Sequence, residues 1–106
     1  MQRRGSDRPH LICIEQQGAY VAGVMVRVLL PIEGAPDAWL TLISQDDVPV
    51  GRQPCVTAPA GSLRLTVYLA AFTGFNWQDA CRFEVAPVVA TKVTMRGTTF
   101  HPSCHR

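Results

Sequence analysis

Four cysteines, three histidines and one aromatic-rich segment are the groups in this 106-residue sequence with the most chemical potential. Cys13, Cys55, Cys81 and Cys104 form an even set at wide spacing, which reads as two disulfides and an oxidising compartment. Three pairings are open. A bridge such as Cys55–Cys81 would close a mid-length loop and contribute about 3 kcal/mol in the chain-entropy account. The alternative is four buried free thiols. His10, His101 and His105 all lie near the chain ends, where a preorganised catalytic site is hard to build. Ser44, Ser62 and Ser103 lack the flanking glycines of a nucleophile elbow. The run His101-Pro102-Ser103-Cys104-His105 carries imidazole and thiol donors that suit zinc, but its spacing matches no finger, and Cys104 reads as a staple for the tail. Asp46-Asp47 is not surrounded by the alternating oxygen ligands of a calcium loop. The expectation is a binding protein, not an enzyme, with no cofactor and no metal.

The segment Phe72-Thr73-Gly74-Phe75-Asn76-Trp77 places three aromatic residues around Gly and Asn. Aromatic side chains in a loop can anchor a partner, because they bury a large area for little lost entropy. Phe72 is expected to fold back and plug one end of the domain. Phe75 and Trp77 suit either plugging or partner contact.

The elements that must position these groups have a period of two. From Tyr20 to Leu30, the set Tyr20, Ala22, Val24, Val26, Val28 and Leu30 lines one face. Pro31 and Gly34-Ala35-Pro36-Asp37 then predict a turn. A strand over Ala38–Gln45 sets Trp39, Thr41 and Ile43 against Leu40, Leu42 and Ser44, with Asp46-Asp47 and Pro49 closing it. Leu63, Leu65, Val67 and Leu69 alternate with Arg64, Thr66 and Tyr68, the pattern of a half-buried antiparallel strand. Cys81, Phe83 and Val85 alternate with Arg82 and Glu84, and a strand over 89–96 sets Val93 and Met95 against Lys92, Thr94 and Arg96. His10–Gln16 and Cys55–Ala58 complete the set, while Trp77 to Cys81 is compatible with one helical turn. The reading is an all-β antiparallel sandwich of about six to seven strands with little or no helix. Residues 1–9 form a polar tether and 10–106 a single domain.

Composition agrees with a globular chain, at 47% hydrophobic residues and a formal net charge of +2. Basic residues are scattered apart from Arg3, Arg4 and Arg8, so no nucleic-acid stripe is present. The apolar stretch Tyr20–Ile32 is broken by Gly23, Arg27 and Pro31 and is too short to span a bilayer. No apolar core of a signal peptide follows the charged start, so an oxidising location implies that a targeting segment has been removed. An immunoglobulin pattern fails: Trp39 is far from Cys13, and Asp79 stands where a Tyr two residues before Cys81 would be required.

Over residues 20–46 the stretches Val21-Ala22-Gly23-Val24-Met25-Val26-Arg27, Leu30-Pro31 and Ala38-Trp39-Leu40-Thr41-Leu42-Ile43-Ser44-Gln45-Asp46 resemble the YscW/YbaY-type lipoproteins. Leu65-Thr66-Val67-Tyr68-Leu69-Ala70 is loosely similar to a further family strand, and the cysteine-rich second half departs from the pattern. Within that family the chain is most similar to the secretin pilot proteins (pilotins) of type III secretion. The resemblance implies a lipid-anchored β-sandwich on the periplasmic face of the outer membrane, touching the membrane only through that anchor. It would bind the C-terminal segment of a secretin and assist its targeting and assembly. Tyr68, Phe75 and Trp77 are the expected contact residues, whether the peptide adds a strand or lays a helix in a groove. The rival expectations are a disulfide-braced inhibitor of a protease or lysozyme, and a carbohydrate-binding module stacking sugars on Trp77 or Trp39.

Overall fold

A computed structural model describes residues 8–85 and 90–106, the side chain of Phe83 excepted. Most of the expected tether, and the Val89 start of one expected strand, lie outside the described residues. The elements are β1 (His10–Gln16), β2 (Ala22–Ile32), β3 (Ala35–Val48), β4 (Cys55–Ala58), β5 (Arg64–Phe72), β6 (Trp77–Val85), β7 (Thr91–Thr98) and β8 (His101–His105). They form two four-stranded sheets, ordered β4-β1-β7-β8 and β3-β2-β5-β6. Pairing is antiparallel except between β1 and β7, which run parallel. The sandwich is all-β, as the alternation requires.

The inward faces follow the sequence period. Ala22, Val24, Val26 and Val28 of β2, and Leu65, Val67, Leu69 and Ala71 of β5, are buried. They face Ile12 and Ile14 of β1 and Val93 and Met95 of β7 across the core. Full burial of such a side chain stabilises the fold by roughly 1.5–3 kcal/mol, so these central strands carry the core.

Four local expectations are corrected. The expected turn is present at Gly34 but tighter than Gly34–Asp37: β2 continues through Pro31 to Ile32, the turn is Glu33-Gly34, with Gly34 at φ +75°, and Ile32 pairs with Ala35. Pro36 is tolerated because β3 is an edge strand. Asp46 and Asp47 do not end β3 but lie within it, where charge on an edge discourages further strand pairing. The facing set Trp39, Thr41 and Ile43 is split, because the register jumps from Val26↔Ile43 to Arg27↔Thr41, leaving Leu42 as the extra residue. Trp77 to Cys81 is strand, not a helical turn. The tail is stapled through Cys104 as expected, and His101–His105 forms an eighth strand.

All four cysteines are in disulfides. The bonds are Cys13–Cys55 and Cys81–Cys104, which replaces the illustrative Cys55–Cys81 link. Cys13 and Cys55 are direct cross-strand partners, with Cα atoms 4.1 Å apart. Cys81 and Cys104 join β6 to β8, and so one sheet to the other. In the loop-entropy account this second bond contributes about 3 kcal/mol. A Cys81→Ser/Cys104→Ser variant is therefore expected to lose about that much unfolding free energy in denaturant titration, and an unchanged midpoint would show the bond to be redundant.

His10 is buried and its Nε2 lies 3.1 Å from the Thr91 hydroxyl. Burial holds its pKa below the ordinary 6.5. The folded chain thus resists a proton that the unfolded chain accepts, so the stability is full above pH 6.5 and falls as the pH drops below it. Denaturation midpoints measured from pH 7.5 down to pH 5 should decline, and His10→Gln should flatten the decline; equal slopes in the two proteins would remove His10 as its source.

Candidate functional site

The register fixes which loops share an end. Ala22 pairs with both Val48 and Ala71, and Phe72 with Trp77. Gln16 pairs with Met95, and the following residues continue beside β7 to the Ala19↔Thr98 bridge. Four connections therefore gather at one end: residues 17–21, 49–54, 73–76 and 99–100. Val21, Val50, Phe72, Phe75, Trp77 and Phe100 stand on or beside them, six of the ten large apolar side chains that are exposed among the described residues. Phe75 is 96% exposed and Phe100 67%. Scattered exposed apolar groups are ordinary, whereas a concentration at one end marks an interaction surface.

This end is built rigidly. Gln16 is fully buried; its Nε2 donates to the Tyr20 carbonyl at 2.5 Å and its Oε1 accepts from the Gly18 amide at 2.6 Å. The Gln16 carbonyl accepts from the Gly51 amide at 2.7 Å, which ties the 49–54 connection to the 17–21 connection. Tyr20 packs its ring against Gly18 and donates its hydroxyl to the Arg96 carbonyl at 2.9 Å. Tyr20, and not Phe72 as expected, is the aromatic plug of the sandwich. Phe72 lies outside, its ring centroid 5.1 Å from that of Trp77. In the 73–76 connection the Thr73 hydroxyl accepts from the Asn76 amide at 3.1 Å, and Gly74 takes φ +97°. Gly97, paired with Pro102 near the end of β7, takes φ +94°, where any Cβ would lie 2.2 Å from the His101 carbonyl oxygen. Gln78 Nε2 donates to the Phe100 carbonyl at 3.3 Å and links the two aromatic loops.

Trp77 owes its outward direction to a bulge. Leu69 pairs with Cys81, but Ala70 pairs with Asp79, so Ala80 is the extra residue. Cys81 turns inward to its disulfide, while Trp77 and Asp79 stand on the outer face. A regular strand would put Trp77 and Cys81 on one side. The outer face between them is hollowed, with a volume of about 380 Å³. Gly23 and Ala70, a cross-strand pair, are its floor. The Trp77 ring closes it toward the loop end, where a Cβ on Gly23 would come within 3.1 Å of the indole. Tyr68 closes the opposite side with Arg82 over its ring, 5.1 Å from the centroid. Asp46 and Asp79 stand on the flanks. Of the three expected contact residues, Tyr68 and Trp77 thus share this hollow, and Phe75 projects separately from the loop end. Val21, Val50 and Phe100 escaped the sequence reading because only the strand order brings them beside Phe75.

Among the described residues, no three His, Cys, Asp or Glu side chains are grouped to hold a metal ion, and no helix is long and apolar enough to cross a membrane. Replacing Gln16 by Leu removes both side-chain bonds and leaves the Gly18 amide without its partner. The expected cost is about 1–3 kcal/mol, with faster amide exchange over 17–21. Unchanged exchange would show that the connection holds without Gln16.

No family model matches the chain, and no curated protein does. Solved structures do. The membrane-binding domain of pneumolysin aligns with a TM-score of 0.70 at 18% identity, covering 92% of this chain and 95% of that domain. A Gram-negative toxin aligns with a TM-score of 0.71 at 17% identity, and suilysin, a cytotoxin of Streptococcus suis, with 0.68 at 20%. In both the match covers 92% of this chain but only 22% of the toxin. At these identities the likeness is one of fold.

Proposed function

We propose that this domain docks on a lipid surface through its loop end. The observation that carries the reading is the collection of Val21, Val50, Phe72, Phe75, Trp77 and Phe100 on hydrogen-bonded connections at one end of the sandwich. A neighbour that matches over nearly its whole length is a membrane-binding domain, which supports a membrane-docking role. Phe75 and Phe100, the most exposed aromatics there, would enter the hydrocarbon boundary, and Trp77 would sit at headgroup level, where indole is favoured. Each phenyl ring buried in lipid contributes up to roughly 1.5–3 kcal/mol, so two rings suffice for reversible adsorption. Because the loops are already fixed, little ordering entropy opposes contact. A net charge of +2 adds only weak attraction to an anionic surface.

Lipid contact would then be made by the protein's own side chains rather than through an attached chain. The secretin-tail reading, its outer-membrane location, and the inhibitor and sugar-binding readings draw no comparable support from the fold or its neighbours.

Flotation with vesicles of an animal-cell lipid extract, and in parallel of a bacterial extract, provides the test. The chain should float with at least one of them, and in a Trp39→Phe background the Trp77 emission should shift to the blue. Phe75→Asp and Phe100→Asp should each lower the bound fraction at least about tenfold without changing the thermal midpoint. A double variant that floats like the parent would refute docking by this end.

A further inference from the structure

The outer-face hollow lies beside the loop end, on the sheet β3-β2-β5-β6. Gly23 and Ala70 leave its floor bare, and Trp77 and Tyr68 line its two ends. Asp46 and Asp79 flank it on the two edge strands, and neither forms an ion pair among the described residues. Arg82 covers Tyr68 and offsets one of the two carboxylates, so the hollow carries a net single negative charge. Aromatic faces beside a carboxylate recognise weakly hydrated organic cations, because the ring quadrupole attracts the charge and the alkyl groups pack on the ring. A strongly hydrated ammonium gains less. The volume, about 380 Å³, admits a trimethylammonium group with room for its tether.

We infer that this hollow binds the quaternary ammonium of a choline-type phospholipid headgroup. The inference rests on the docking reading for its source of ligand. With the loop end in the membrane, the hollow opens just above Trp77, at the height where a headgroup cation stands. Phe75 and Phe100 would then supply adhesion, and the hollow would select among lipids.

Free phosphocholine is the probe, followed by amide chemical shifts of the intact chain. Saturable shifts centred on Gly23, Ala70 and Asp79, with a Kd of about 1 mM, are expected. Phosphoethanolamine should bind more weakly. Asp46→Asn and Asp79→Asn should each weaken phosphocholine several-fold, and Gly23→Ala, which pushes on the indole, should weaken it without charge change. No saturable shift, or equal binding by the Asp46→Asn/Asp79→Asn variant, would overturn the site even if Phe75-dependent flotation persists. Vesicle binding should also fall when phosphatidylcholine is replaced by phosphatidylglycerol. If free phosphocholine binds but that replacement has no effect, the membrane-lipid assignment is overturned.

Discussion

The pairing of β2 with β5 in a single register, from Ala22↔Ala71 to Leu29↔Arg64, is the constraint on which the loop end depends. It commits the even residues of β2 and the odd residues of β5 to the core. A slip of one residue would turn both sets to solvent. With that register fixed, the β1–β2, β3–β4 and β5–β6 connections must emerge at one end, and the parallel β1–β7 pairing brings β7–β8 to the same place. The exposed apolar cluster is a consequence of topology acting on residues far apart in the chain.

Rigidity at that end is obtained with polar groups rather than a larger core. Gln16 is buried without loss because both ends of its amide are satisfied within the 17–21 connection. Tyr20 fills the sandwich and spends its hydroxyl on Arg96 of β7. Core closure and loop placement are thereby one event. The arrangement also explains how Phe75 can remain almost fully exposed: the neighbouring bonds of Thr73 and Asn76 hold the turn without using the ring.

Alternation in the sequence was enough to read the inward faces of β2, β5 and β7, since a period of two is dictated by strand geometry. It failed where that period breaks. The extra residue at Leu42 divides Trp39 from Ile43, and the one at Ala80 separates Trp77 from Cys81. Neither bulge has a local signature such as glycine. His101–His105 was hidden because a five-residue strand containing Pro and two His lacks β-like composition. Disulfide pairing and the partnership of Phe75 with Phe100 were illegible for a common reason: both are set by strand order. Tyr68 and Trp77 were singled out as aromatic residues, but the hollow they share needs Gly23 as its floor, and a missing side chain has no pattern of its own.

The two disulfides do different mechanical work. Cys13–Cys55 joins strands that are already hydrogen-bonded neighbours, so it reinforces an existing contact within one sheet. Cys81–Cys104 joins strands in different sheets, where no ladder of hydrogen bonds acts. It lies on the same two strands that lead into the aromatic loops, and the Gln78–Phe100 bond repeats the link nearer the surface. Sheets of a sandwich are otherwise held together by non-directional apolar packing, which resists separation better than it resists sliding. A covalent tie at this position converts the two halves of the loop end into one body. Phe75 and Phe100 then meet a surface together, and the orientation cost of binding is met once rather than twice.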